Sequence, residues 1–131
     1  MLMPPVSRYM TPQPWTIERD EDLVAALEKM RAHGVRHLPV LEDGDLVGII
    51  SDRDIHIMSA MITEESMVED AMEDDVLTVR PDEDVGTVAE KMAARKIGSA
   101  VVVNRLGQVE GIFTTVDALG AFAEVLRRAT A

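Results

Sequence analysis

The stretch Gly48-Ile49-Ile50-Ser51-Asp52-Arg53-Asp54 returns further along the chain as Gly111-Ile112-Phe113-Thr114-Thr115-Val116-Asp117. Both copies run glycine, two apolar residues, a hydroxyl and, three places after it, an aspartate. The likeness extends outward from this point. A shift of 62 residues lays Val6 on Val68, Met10 on Met72, Thr16 on Thr78 and Val40 on Val102. The same shift superposes Asp20-Glu21-Asp22 on Asp82-Glu83-Asp84, and Glu28-Lys29-Met30 on Glu90-Lys91-Met92. One inserted residue near Asn104–Leu106 raises the shift to 63, so that Gly44 meets Gly107, Gly48 meets Gly111 and Asp54 meets Asp117. An internal repeat of this length dictates architecture. The 131 residues divide into a first repeat at 6–55, a connector at 56–67, a second repeat at 68–118 and a C-terminal helix at 119–131.

Each repeat predicts the same elements. Residues 15–17 and 77–79 are short extended segments. A helix follows, with Asp20 as the expected N-cap, acids in the first turn, and Leu23, Ala26, Leu27 and Met30 at helical spacing; Gly34 ends it. In the second copy Pro81 precedes the helix and Gly98 lies past its end. Apolar strands at 37–42 and 99–104 lead through glycine turns to strands at 46–51 and 109–114. A last helix starts at Ser51 or Thr114. The order β-α-β-β-α thus occurs twice. A unit of about 50 residues buries too little surface alone, so two copies packed face to face, with pseudo-twofold symmetry around a central cleft, are the expected α+β architecture.

Composition narrows the function. Apolar residues make up 47% of the chain, enough for a core, and aromatics only 3%, so Val, Ile, Leu, Met and Ala must build it. The absence of cysteine excludes disulfides, thiolate chemistry and Cys-type zinc sites and fits a reducing, cytoplasmic setting. The start lacks the pattern of a secretory signal, and no apolar run approaches the roughly 18 residues of a membrane helix. A net charge of −11 disfavours a nucleic-acid polymer as partner. His33 and His37 are four apart, but Gly34 interrupts the helix between them and no third ligand sits at metal-site spacing, so no metal is expected. The methionines at 58, 61, 67 and 72 are expected as core filler.

Ser51-x-x-Asp54 and Thr114-x-x-Asp117 have two readings. In one, each is a capping box, with Ile50 and Ile55 as a hydrophobic staple; aspartate, shorter than glutamate, is expected to reach back less well and keep its carboxylate available. In the other, the hydroxyl meets a phosphate or ribose, the carboxylate accepts from a vicinal diol, and Gly48 and Gly111 let a ligand approach the backbone.

The ordered set "VSRYMTPQPWTI", "DEDLVAALEKMRAHGVRHLPVLEDGDLVGIISDRDI", "VEDAMEDDVLTV" and "DEDVGTVAEKMAARKIGSAVVVNRLGQVEGIFTTVDAL" resembles a tandem pair of CBS domains, a Bateman module, over residues 6–118. The resemblance implies a regulatory module that binds an adenine nucleotide (AMP, ADP, ATP or an adenosyl ligand) between the two motifs and alters conformation or partner contacts, with no further cofactor required. Carried over position by position, the first site comprises Thr16, Ile17, Arg36, His37, Leu38, Pro39, Ser51, Arg53 and Asp54. The second comprises Thr78, Val79, Gly98, Ser99, Ala100, Val101, Thr114 and Asp117. Val116 stands where the first copy has Arg53, and Ser99 where it has His37, which weakens the case for phosphate at the second site.

Enzymatic activity is not expected, because no G-x-S-x-G, H-E-x-x-H or Walker loop is present. The alternative to ligand sensing is a structural or dimerisation module whose aspartates only cap helices. The resemblance implies a homodimer, to which Leu119, Phe122, Ala123 and Leu126 offer an apolar stripe, and a protein target that the sequence does not identify.

Overall fold

The hairpin turns and helix caps fix the frame of each repeat. Asp43 and Gly44 both have positive φ, 51° and 87°, the pairing that a two-residue hairpin loop needs to follow the twist of its strands. In the second copy the longer turn is held by Asn104, whose side chain accepts from the backbone N–H of Leu106 and Gln108. The computed structural model describes residues 3–130. Its elements are β1 (Thr11–Pro12), β2 (Ile17–Glu18), α1 (Leu23–His33), β3 (His37–Glu42), β4 (Asp45–Ser51), α2 (Asp52–Ile57), β5 (Thr78–Val79), α3 (Val85–Arg95), β6 (Ser99–Val103), β7 (Val109–Thr114) and α4 (Thr115–Thr130), with 3-10 turns at Val6–Arg8 and Val68–Asp70. The β-α-β-β-α order occurs in both repeats. The C-terminal run 119–131 is not a separate element as far as it is described: α4 runs on through it from Thr115.

Three sequence expectations shift. The N-cap of α1 is Asp22, not Asp20; its side chain accepts from Val24 N at 2.7 Å, and the acids precede the helix rather than filling its first turn. In α3, Lys96 takes the left-handed position that Gly34 takes after α1. Met61 is 72% exposed, so it is not core filler; Met72 does pack against its core.

Two compact units result: a contiguous one, residues 15–76, and a composite one that joins the chain up to Pro14 with the chain from Leu77 onward. The units are therefore not collinear with the repeats. In the contiguous unit β2 pairs parallel to β3, and β3 antiparallel to β4, giving the order β2-β3-β4. The composite unit repeats this as β5-β6-β7 and adds β1 at the free edge of β7. Both hairpins change register at matching places, Val40/Leu41 and Val102/Val103.

The entry segments explain the exchange. Val6 N donates to Glu83 O at 2.7 Å and Val85 N to Pro4 O at 3.0 Å; in the other unit Val68 N donates to Glu21 O at 2.8 Å and Leu23 N to Ser66 O at 3.0 Å. Each repeat's entry segment thus splices onto the helix start of the other repeat's body. Val6 joins a core with Val79, Val88, Met92, Val102 and Phe113. Val68 joins one with Ile17, Leu23, Met30, Val40 and Ile50. Both valines are fully buried, each worth on the order of 1.5–3 kcal/mol of apolar burial. In the contiguous unit Arg19 adds a clasp, its Nε 2.7 Å from Glu69 Oε2 and its Nη1 3.1 Å from Glu42 Oε2. These carboxylates raise its pKa.

Candidate ligand site at the strand-to-helix corners

The glycines of the opening stretch are contact positions for the protein itself. A Cβ on Gly48 would lie 2.6 Å from Met72 Sδ and 3.0 Å from the backbone oxygen of Glu73. A Cβ on Gly111 would lie 2.4 Å from Met10 Sδ and 3.1 Å from the oxygen of Thr11. Each entry segment lays its methionine across the glycine of the strand it joins. Ile49 and Glu73 exchange N–H···O bonds of 2.9 and 2.8 Å, and Thr11 pairs with Ile112. The expected close approach is real, but a thioether and a strand make it rather than a ligand.

At the corner of the contiguous unit, Ser51 N donates to Asp54 Oδ2 at 3.0 Å, Ser51 Oγ to the same oxygen at 2.9 Å, and Asp54 N to Ser51 Oγ at 3.1 Å. The capping box is complete, so aspartate is not too short to close it. All the bonds it accepts fall on Oδ2; among the described residues nothing donates to Oδ1. Ile50 and Ile55 are buried in the core beneath, as a staple requires. In the composite unit Thr114 N donates to Asp117 Oδ2 at 3.0 Å, Thr114 Oγ1 at 3.3 Å, and Asp117 N to Thr114 Oγ1 at 3.4 Å.

The partner strands bring the remaining candidates to the same corners in equivalent register. His37 lies opposite Ser51, and Ser99 opposite Thr114. Asp52 N donates to Arg36 O at 3.0 Å, and Thr115 N to Gly98 O at 3.1 Å. Ile17 pairs with Val40, and Val79 with Val102. Leu38, Pro39, Ala100 and Val101 are buried, as are Ile17 and Val79, which leaves their backbones rather than their side chains to meet a ligand. Thr16 is partly buried and Thr78 exposed; the Thr16 carbonyl accepts from Lys29 Nζ. Arg53 is exposed. Arg36 lines a groove between α1 and α2 with Arg31, Asp52 and His56.

The pKa of His37 is displaced below its ordinary value. Burial pushes its pKa down, the carboxylates of Asp52 and Asp54 pull it up, and Arg36 pushes it down again; burial prevails. A neutral imidazole beside a carboxylate suits hydrogen bonding to a sugar or base better than charge pairing with a phosphate. His33, considered for metal, stacks on Trp15 with ring centroids 3.7 Å apart. Among the described residues no group of three or more His, Cys, Asp or Glu is placed to hold a metal ion, and no helix is long and apolar enough to cross a membrane.

Sequence reasoning missed three neighbours of these residues: Met72 over Gly48, Met10 over Gly111, and Thr11. Thr11 Oγ1 lies 3.3 Å from both carboxylate oxygens of Asp117. The signal for the methionines lies in the matched pairs Val6/Val68 and Met10/Met72, which mark the entry segments as repeated parts of one internal pattern.

Comparison with known proteins places these features in a family. The family model of the CBS domain matches residues 6–57 and 68–124. A CBS domain pair solved in complex with 5′-methylthioadenosine and S-adenosyl-L-methionine superposes with a TM-score of 0.86 at 30% identity, over 93% of this chain and 98% of that one. The structure of CBSX2 in complex with AMP gives 0.82 at 26% identity, over 92% and 97%. Among curated relatives, the L-aspartate semialdehyde sulfurtransferase of Methanocaldococcus jannaschii is 32% identical over 113 residues, 86% of this chain and 22% of that protein. The chain thus spans about a fifth of the length of that enzyme.

Proposed function

The chain belongs to the CBS-domain family as a tandem pair, and from that premise we propose that it is a regulatory, non-catalytic module that binds an adenosine-type ligand at its strand-to-helix corners. The observation that carries the reading is Asp54. Its Oδ2 is committed to the capping box, and its Oδ1 is left to accept from a vicinal diol. Ser51 and the neutral side of His37 stand beside it, and the backbones of Ile17, Leu38 and Pro39 supply polar edges for a base. The two solved relatives with adenosine ligands favour this ligand class. Among phosphorylated forms, the exposed Arg53 is the nearest cation in sequence, a bidentate donor suited to AMP, ADP or ATP. Binding shifts the module toward the arrangement with higher ligand affinity; a cytoplasmic protein target then reads that arrangement.

A thermal-shift panel of AMP, ADP, ATP, 5′-methylthioadenosine and S-adenosyl-L-methionine tests this. A ligand that binds the folded chain raises the midpoint with the logarithm of its concentration. A flat response across the panel refutes the reading and favours the alternative, a structural module. The completed capping boxes and the apolar face of α4 favour that alternative, because both function without a ligand. In either case we propose a homodimer through Leu119, Phe122 and Leu126, which are 66%, 59% and 48% exposed.

A further inference from the structure

The two aspartates close the same box but do not carry the same load. Asp117 receives Thr114 N and Thr114 Oγ1 on Oδ2 and, in addition, the Thr11 hydroxyl at 3.3 Å from each oxygen. A carboxylate offers about four acceptor positions, so little of Asp117 is left for another donor. Thr11 is set there by strand pairing: it lies opposite Ile112 in the β1–β7 ladder. Ile49 is the counterpart of Ile112 at the 63-residue shift, and the residue opposite it is Glu73. A glutamate side chain has no hydrogen to donate, and Glu73 Oε1 instead accepts from Asp75 N at 3.2 Å. Among the described residues Asp54 Oδ1 has no donor.

We propose that the entry-segment residue opposite Ile49 or Ile112 decides which corner takes a ribose-type diol: Thr11 holds the Asp117 carboxylate closed, and Glu73 leaves Asp54 open. The inference rests on the diol reading of Asp54 given above. It makes the chain one open site and one latent site, and it locates the latch in a segment far from Asp117 in sequence. A diol entering the composite unit must displace the Thr11 bond. That bond is long and shared between two oxygens, so its removal is worth about three- to tenfold in affinity.

The test uses adenosine, which carries no phosphate and so is insensitive to charge changes at the surface. Adenosine is titrated calorimetrically into the full chain carrying Asp54→Ala, where the remaining heat reports the Asp117 corner, with and without Thr11→Val. Valine keeps the β-branched shape and the strand pairing and removes only the hydroxyl. Affinity is expected to rise about three- to tenfold with Thr11→Val. In the otherwise unchanged chain, Glu73→Thr is expected to weaken the Asp54 corner by a similar factor. Unchanged or weaker binding with Thr11→Val overturns the latch, as does an unaltered Asp54 corner with Glu73→Thr. Absence of adenosine binding to the unsubstituted chain overturns the diol reading itself, an outcome distinct from failure of the latch.

Discussion

Gly48→Ala asks whether the repeated glycine serves a ligand or the protein. The added methyl would sit 2.6 Å from Met72 Sδ, 3.1 Å from Met72 Cγ and 3.0 Å from the Glu73 carbonyl oxygen. Real side chains do not tolerate the first distance, so the thioether must swing away and the Ile49–Glu73 bridge must stretch. Overpacking of this kind costs about 1–3 kcal/mol. In a chain of this length that lowers the thermal midpoint by roughly 3–10 °C. The assay is urea and thermal unfolding of the ligand-free protein, carried through a double-substitution cycle with Met72→Ala. Removing the thioether clears the worst contact, so Gly48→Ala on the Met72→Ala background is expected to cost less than about 1 kcal/mol, with the two changes coupled as contacting residues are. If Gly48→Ala leaves ligand-free stability untouched and only weakens nucleotide binding, the glycine serves a ligand and the packing argument is wrong.

The same structure makes two further outcomes testable. Burial lowers the pKa of His37, so the unfolded chain binds this proton more readily than the folded one; the stability contributed by neutral His37 is complete above its ordinary value of about 6.5 and is lost as pH falls through the lowered folded value. His37→Gln is expected to flatten the fall in unfolding free energy below about pH 6.5, and an unchanged slope would show the histidine to be solvated. Phe122→Asp places a charge on the exposed face of α4 and is expected to convert a dimer to a monomer in sedimentation experiments; an unsubstituted chain that sediments as a monomer removes the proposed interface.

Much of the fold was legible because periodicity and repetition report local structure. The 62-residue shift located both β-α-β-β-α bodies, and Gly34 and the Asp43-Gly44 turn marked boundaries that the backbone dihedrals bear out. What the repeat could not reveal is which body each entry segment joins. Val6 and Val68 are equivalent in sequence whether they pack on their own repeat or on the other, and only tertiary contact shows the exchange. Sequence alone places the cap of α1 two residues early, because Asp20, Glu21 and Asp22 all suit a cap; the structure puts it at Asp22, where Leu23 N also donates to Ser66 O, a long-range constraint. At the corners, the hydroxyl–aspartate spacing identified the residues that close both capping boxes but implied an open carboxylate in both copies. The structure leaves one oxygen open at Asp54 and engages both at Asp117, through a threonine more than a hundred residues away.

The most direct test of the central claim is isothermal calorimetry of AMP against the unsubstituted chain and Asp54→Ala. Hydrogen bonds to a charged carboxylate contribute roughly 1.5–3 kcal/mol, so loss of Asp54 is expected to weaken binding about ten- to a hundredfold while the folded chain persists. Equal affinities for the two proteins would show that Asp54 caps a helix and holds no ligand.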